Sequence, residues 1–448
     1  MGVMPVHKLL LNISVPMVIS MLVQATYNIV DSVFVARLGE EAITAVSLSF
    51  PIQTLMIGAS VGTGVGVNAF LSKSLGEKNY KNANSAAMHG ILLAWLSCAV
   101  FMLFGFFLTE WFFRTQTDIE LIVKYGHDYL FVVCAMSFGV FNQVMMERLL
   151  ISTGKTFYSM ISQMFGAVTN IILDPIMIFG LFGFPRLEVT GAALATVIGQ
   201  FAGAALAFYF NHRENHEISL KFRGFRPSAS VIRRIYAVGL PSILMGSLGS
   251  VMMYGLNRIL ISFTATAAAV FGVYFRLQSF IFMPIFGLNT GVVPIIAYNF
   301  GARKRERIKE TVKYGGMYAV GIMSAGVIIF NAFPNQLLAM FNATPDMIAI
   351  GVPALRIISA HFIFAAFCIL SLSVFQALGR GRESLIVAVS RQLLLLLPIA
   401  WLLSRLGDVN AIWWAFPITE FVTLALCVVL MKRVYDRTIK PLGGKAAE

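Results

Sequence analysis

Long apolar runs alternate along the chain with short polar segments, and none of the runs alternates strictly between apolar and polar residues. Each run supplies the roughly 20 residues that a helix needs to cross a bilayer, whereas barrel strands would alternate in polarity. A helix also satisfies its own backbone polar groups in lipid. The pattern predicts an all-α membrane protein with twelve transmembrane helices, at residues 14–36, 45–71, 86–111, 126–147, 157–183, 189–211, 237–262, 268–299, 312–333, 350–377, 384–404 and 409–431.

The basic residues between these predicted spans lie almost entirely on one side of the membrane. Alternate connections place 25 Lys and Arg residues on the side that holds both termini and 5 on the other. Because cytoplasmic loops are enriched in Lys and Arg, we expect a multi-pass protein of the cell inner membrane with both termini in the cytoplasm. The net charge of +13 is therefore a topology signal, and we expect no nucleic-acid partner.

The second half of the chain repeats the first at a constant offset of 225 residues. Six spans per half predict two six-helix bundles related by a pseudo-two-fold axis along the membrane normal. The expected division is 1–211 for the N-terminal bundle, 212–236 for a cytoplasmic linker, and 237–448 for the C-terminal bundle with a basic tail. The matched residue pairs include Pro16 and Pro241, Gln53 and Gln278, Gly62 and Gly287, Gly66 and Gly291, Gly76 and Gly301, and Gly126 and Gly351.

Composition removes several classes of protein from consideration. The 448 residues are 58% hydrophobic and 12% charged, against about 25% charged in soluble domains. The chain contains no HExxH motif and no nucleotide-binding loop, and its four cysteines lie in apolar stretches with no metal-ligand spacing. We therefore expect neither an enzyme nor a cofactor. Duplicated bundles suit alternating access driven by an ion gradient, and the rival classes are a channel or a membrane-embedded enzyme.

Three acidic residues lie deep in predicted spans, where charge is costly and marks functional candidates. Asp31 and Asp174 lie at similar depth in the first half, and Glu420 lies in the last span. Asn170 precedes Asp174 by four residues and shares its helix face, and Thr196 reaches the same depth from the next span. Such oxygens suit a hard cation such as Na⁺ or a proton.

Structural explanations compete with this hypothesis. Asp174 followed by Pro175 is also the pattern of a helix N-cap. Asp31 has an alternative role as the partner of Arg258 in a salt bridge between the bundles. Arg391, midway along span 11, is a candidate to hold an anion, a lipid headgroup or Glu420.

Four runs in their order and spacing resemble the multidrug and toxic compound extrusion (MATE) family: YNIVDSVFVARLG at 27–39, NIILDP at 170–175, GAALAT at 191–196 and GLNTGVVPIIAYNFG at 287–301. The resemblance covers nearly the whole chain. It implies an antiporter that exports cationic or polyaromatic drugs in exchange for H⁺ or Na⁺, with two bundles in a V-shaped arrangement. Spans 7 and 10 carry no acid, which resembles the DinF-like branch of the family.

The resemblance also implies roles for individual residues. Asp31, Asn170, Asp174 and Thr196 would form the cation site, which would also hold Na⁺ if that is the coupling ion. The arginines of the second half leave a lipid-linked oligosaccharide or lipid flippase of the same superfamily as the alternative. We expect small organic substrates and membrane lipids as partners of a monomer. The residues expected at the substrate cavity or its gates are Pro16, Tyr27, Asn28, Gln53, Asn142, Arg258, Gln278, Asn289, Arg391 and Glu420.

Overall fold

The computed structural model describes residues 1–221, 224–341 and 343–443. Regular structure in these residues is helical throughout. The last residues of the predicted basic tail, 444–448, and residues 222–223 of the predicted linker lie outside the described part. The α-helices in chain order are α1 Val6–Ala36, α2 Glu40–Gly76, α3 Tyr80–Phe107, α4 Thr109–Arg114, α5 Glu120–Ala135, α6 Phe138–Ser152, α7 Thr156–Phe179, α8 Glu188–Arg213, α9 Ala229–Ile261, α10 Ala265–Gly301, α11 Arg305–Ala332, α12 Pro334–Ala339, α13 Pro345–Ser359, α14 Phe362–Ala377, α15 Gly381–Val389, α16 Leu396–Ser404, α17 Val409–Trp413 and α18 Ala415–Val434.

The described residues contain ten helical stretches that are long and apolar enough to cross a membrane, and two bent helix pairs bring the number to twelve. The first bent pair is α5 with α6, at 46°, and the second is α13 with α14, at 50°. Helices α15 and α16 form one stretch with the π-helix Ser390–Leu395 between them. The predicted all-helical fold with twelve spans is confirmed, while the two bends and the short helices α4 and α12 were not predicted.

The duplication is visible in the helix boundaries. Adding 225 to the bounds of α2, 40 and 76, gives 265 and 301, which are the bounds of α10. The same offset converts α3 into α11 and α4 into α12, and it converts α7 into the stretch Gly381–Ser404. The last span follows at an offset of 221, because α8 starts at 188 and α17 at 409. The two halves therefore share one helical plan.

Each half contains a close contact between an apolar side chain and a glycine, and the two contacts are related by the offset of 225 residues. The ring of Phe113 lies against Gly126 so closely that a Cβ on that glycine would overlap it. In the second half Leu338 occupies the equivalent position, and a Cβ on Gly351 would lie 2.8 Å from its Cδ1. Each short helix, α4 or α12, thus places one apolar side chain into a glycine notch of the following span.

The chain divides into two compact units. The N-terminal unit is Val15–Ile243, and the C-terminal unit is Met1–Ser14 together with Leu244–Glu448. The boundaries fall inside α1 and α9, so that the first turns of each of these helices belong to a different unit from the rest.

The first turns of α1 and α9 each pack closely against a glycine of a neighbouring helix. Within the N-terminal unit, a Cβ on Gly66 of α2 would overlap the backbone oxygen of Ile235 in α9. Within the C-terminal unit, a Cβ on Gly291 of α10 would overlap Ser14 of α1, whose hydroxyl donates to the backbone oxygen of Leu288 at 3.3 Å. Gly291 is Gly66 shifted by 225, so the same close helix crossing occurs in both units.

Candidate functional site

Helices α7 and α8 of the N-terminal unit pack backbone against backbone. A Cβ on Gly166 would lie 2.8 Å from the carbonyl oxygen of Gly199, and a Cβ on Gly199 would lie 2.7 Å from the carbonyl oxygen of Gly166. With no side chain between the helices at this level, polar groups one or two turns away can meet directly. Asn170 and Asp174 on α7 thereby face Thr196 on α8.

These three residues form one hydrogen-bonded cluster. The side-chain amide of Asn170 donates to Oδ1 of Asp174 at 3.3 Å and lies 3.3 Å from Oγ1 of Thr196. Asp174 is fully buried and Asn170 is 3% exposed. Among the described residues, Oδ2 of Asp174 and Oδ1 of Asn170 are buried without a hydrogen-bond partner. The cluster therefore presents two acceptor oxygens that the protein itself leaves unsatisfied.

The structure rules out the helix-cap explanation for Asp174. Helix α7 runs from Thr156 to Phe179 without a break at Pro175, and the residue at its N-cap position is Lys155. Asp174 therefore lies inside the helix, where its carboxylate caps no helix start. Its burial must have another physical reason.

Asp31 adds a second carboxylate to the N-terminal unit. It lies on α1, is half-buried, and has Oδ1 buried without a hydrogen-bond partner among the described residues. It lies within electrostatic range of Asp174, and the hydroxyls of Tyr27 and Tyr129 lie within range of both acids. Two carboxylates and neutral oxygens in apolar surroundings can bind a hard cation or a proton.

Two glutamines that sequence reasoning missed connect α1 to α7. Gln24 donates to the hydroxyl of Tyr27 at 2.8 Å, and Gln163 donates to Oε1 of Gln24 at 2.8 Å. The only sequence signal for these two glutamines is that each is a polar residue within an apolar run. They hold the tyrosine in the same unit as the two acids.

The other predicted cavity residues of this unit are placed as follows. Gln53 is half-buried and its side chain lies near the hydroxyl of Tyr129. Asn142 is buried, accepts from the indole of Trp95 at 3.0 Å and donates to a backbone oxygen. Asn28 is exposed, and Pro16 is half-buried within the unbroken helix α1.

The C-terminal unit repeats the helix order of the N-terminal unit but lacks the residues of the candidate cation site. The positions equivalent to Asp31, Asn170, Asp174 and Thr196 hold Leu256, Leu395, Ile399 and Pro417. Any cation site of this composition is therefore confined to the first half of the chain.

A cavity of about 360 Å³ lies instead within the C-terminal unit. Of the predicted residues, Gln278, Arg391 and Glu420 line it, and Arg391 donates to Glu420 at 2.8 Å. Arg258 is exposed and Asn289 is buried, and neither lines this cavity. The unpredicted His361 does line it, and its Nδ1 lies 2.5 Å from the backbone oxygen of Ile358.

Comparison with known proteins agrees with this plan. The MatE family model matches the chain twice, at residues 16–176 and 241–402. The start of the second match lies 225 residues after the start of the first, as the repeat requires. Together the two matches cover more than half of the chain.

Curated relatives and solved structures extend over the whole length. A "Multidrug export protein MepA" of Staphylococcus haemolyticus is 27% identical over 434 residues, which is 96% of this chain and 94% of the relative. A "FAD transporter" of Shewanella oneidensis is 26% identical over 435 residues, which is 96% of each chain. An outward-facing multidrug resistance MATE transporter of the MOP superfamily superposes with a TM-score of 0.91 at 24% identity, covering 99% of this chain and 98% of that one. The chain therefore belongs to the MATE family of membrane transporters.

Proposed function

We propose that the protein is a secondary active antiporter that exports cationic or polyaromatic organic compounds in exchange for H⁺ or Na⁺ by alternating access. The observation that carries this proposal is the Asn170, Asp174 and Thr196 cluster, with its unsatisfied buried oxygens. A buried carboxylate is stable in apolar surroundings when it is neutralised, either by a proton or by a bound cation. The coupling ion would perform that neutralisation.

The exchange follows from competition for the negative charge of the two carboxylates. A cation or proton held by Asp174 and Asp31 cancels one of these charges, and its release to the cytoplasm restores the charge that attracts a cationic substrate. Each charge that moves down a membrane potential of 100 mV supplies about 2.3 kcal/mol for export. Asn170 and Thr196 would orient the carboxylate and contribute neutral oxygens, so their role is positioning and ligation.

Further roles are part of the same proposal. Pro16 interrupts the hydrogen-bond ladder of α1 and is the proposed point at which that helix bends. Tyr27, Asn28, Gln53 and Asn142 would contact substrate or gate its path in the first half. Arg258, Gln278, Asn289, Arg391 and Glu420 would do so in the second half.

The proposed location is the cell inner membrane, with both termini in the cytoplasm and the chain acting as a monomer. The basic residues support this orientation, because the side that holds the termini carries 25 of them against 5. Labelling of single cysteines introduced near either terminus by a membrane-impermeant reagent would test it.

The function is tested by efflux from proteoliposomes with a Na⁺ gradient and a pH gradient imposed separately. We expect efflux of a fluorescent polyaromatic cation when one of the gradients is present and none without a gradient. Failure of both gradients, with gradient-independent movement of a labelled anionic lipid between leaflets, would contradict antiport and support a flippase.

A further inference from the structure

The cavity of the C-terminal unit combines an aromatic wall with a few polar groups. Its volume of about 360 Å³ is within the range of small-molecule sites. Phe275, Phe282, Phe286 and Phe416 supply flat apolar surface, while Gln278 and His361 supply hydrogen-bonding groups. Flat aromatic surface of this kind suits a planar aromatic ligand, and polar groups in such sites fix the orientation of a ligand.

The cavity lies where the second half departs from the first. By the repeat, Gly166 corresponds to Arg391 at an offset of 225, and Gly199 corresponds to Glu420 at the offset of 221 that relates the last spans. The glycine pair lets α7 and α8 touch, because each backbone oxygen lies less than 3 Å from the place that a Cβ on the other glycine would occupy. In the C-terminal unit two long charged side chains occupy this contact, and the cavity lies beside them.

Both members of the salt bridge line the cavity, and the guanidinium is the more exposed of the two. Arg391 donates through Nε to Oε2 of Glu420 at 2.8 Å, and the side chains are 16% and 4% exposed. Oε1 of Glu420 is buried, so that the carboxylate offers little surface to a ligand. Among the described residues the guanidinium bonds only through Nε, which leaves Nη1 and Nη2 to meet an incoming group. A paired donor fork of this kind matches a carboxylate or a phosphate.

The backbone at Arg391 is also unusual. Ser390–Leu395 forms a π-helix within the span Gly381–Ser404, whereas the equivalent residues of the first half lie in the continuous α-helix α7. π-helical turns inside α-helices occur frequently at functional sites because the wider turn redirects side chains. Here it carries the arginine that lines the cavity.

We propose that this cavity binds organic compounds that join an aromatic ring to an acidic group, with the ring against the phenylalanines and the acidic group on Nη1 and Nη2 of Arg391. An aromatic cation is disfavoured, because Glu420, the one acid among the described residues that line the cavity, is paired with Arg391 and is the less exposed of the two side chains. The proposal rests on the transport function proposed above and adds acidic aromatic compounds to its substrate classes.

Calorimetric titration of the purified full-length protein with two ligands of matched shape tests the proposal. 1-Naphthoate and 1-naphthylmethylammonium share the ring and differ in charge. We expect the acid to bind at least about tenfold more tightly than the amine. In Arg391→Gln/Glu420→Gln, which removes both charges and keeps both side chains polar, this preference should disappear, while Arg276→Gln, at an exposed arginine of the same unit, should retain it.

A second variant fills the cavity without altering a charge. Gly249 lines the cavity, and a Cβ there would meet only Gln392 Oε1, at 3.9 Å. Gly249→Leu should abolish binding of the acid, whereas Gly272→Leu, at a glycine with open space around it, should not. The comparison of these two glycine variants tests binding in the cavity even if the double variant fails to fold.

Equal affinities of the two ligands for the unaltered protein, or tight binding of the acid to Gly249→Leu, would overturn the proposal. Because binding is measured without a gradient, it is independent of ion coupling. Asp174→Asn should keep naphthoate binding even though efflux is lost. If efflux is absent but naphthoate binds, the binding of acidic aromatic compounds is supported although antiport is not. If the protein exports cations but does not bind naphthoate, the binding proposal is refuted and antiport is not.

Discussion

Asn170 donates its side-chain amide to Oδ1 of Asp174 at 3.3 Å, one helical turn away, and leaves Oδ2 of that carboxylate buried without a partner among the described residues. The amide thus fixes the carboxylate from one side only. Its own oxygen is likewise unpartnered, so both groups offer acceptors to the same kind of ligand. Two buried acceptor oxygens without partners support the proposed role of this cluster as a site for a proton or a hard cation.

Thr196 should matter through its oxygen. Thr196→Val keeps the shape of the side chain and removes the acceptor that lies 3.3 Å from the amide of Asn170. A hydrogen bond is worth about 0.5–1.5 kcal/mol, so we expect the half-saturating concentration of coupling ion to rise up to about tenfold. Efflux rates measured across a series of ion concentrations give this value.

The matched control for Thr196 is Thr169→Val. Thr169 is half-buried, and its hydroxyl donates to the backbone oxygen of Phe165 on the same helix at 2.8 Å. Its removal should leave the ion dependence unchanged. An equal shift in both variants would show that the effect comes from helix packing and not from the site.

Asp31 should act as a coupling group and not as the partner of Arg258. Removal of both partners of a buried salt bridge restores much of what a single removal costs. We therefore compare efflux by Asp31→Asn, Arg258→Gln and the double variant at equal expression. We expect Asp31→Asn to be inactive with or without the second change, and recovery of the double variant would assign Asp31 to a salt bridge.

For Arg391 and Glu420, in contrast, we expect the double variant to recover the stability that a single variant loses. Arg391→Gln leaves Glu420 buried as an unpaired charge, and we expect a loss of about 3–5 kcal/mol in the free energy of unfolding. Adding Glu420→Gln should recover most of that loss. Denaturant unfolding in detergent gives the three values, and similar losses in the single and double variants would argue against an energetic link.

The glycine crossing should be sensitive to a single methyl group. In Gly66→Ala the new Cβ would overlap the backbone of Ile235, which cannot move without displacing α9. We expect a loss of about 1–3 kcal/mol in stability. Gly58→Ala on the same helix, where nothing lies within 4 Å, is the control and should be neutral or stabilising.

Much of the fold could be predicted from the sequence because its signals are local. Apolar run length sets each span, and spacing by four residues places Asn170 and Asp174 on one face. The repeat extended these predictions to the second half. Features without a local signal were missed. The bends after Ala135 and Ser359 contain no proline, so that no residue at either break marks it in the sequence.

Contacts between helices that are far apart in the chain also could not be predicted from the sequence. Gln163 reaches Gln24 across 139 residues, and no spacing rule points to that pair. For Arg391 the sequence suggested an anion, a lipid headgroup or Glu420, and the structure shows the salt bridge with Glu420. The pattern Asp174–Pro175 suggested a cap, but proline removes only one hydrogen bond and a membrane helix can continue through it.

Efflux by Asp174→Asn in proteoliposomes shows whether the carboxylate of Asp174 carries the coupling ion, as we propose. The exposed Asp118→Asn serves as the control for loss of an acid, and thermal unfolding checks that both variants are folded. We predict that Asp174→Asn loses gradient-driven efflux, because the amide keeps the volume and cannot change its charge, while Asp118→Asn transports normally. Gradient-driven efflux by a folded Asp174→Asn at the rate of the unaltered protein would contradict this role of Asp174.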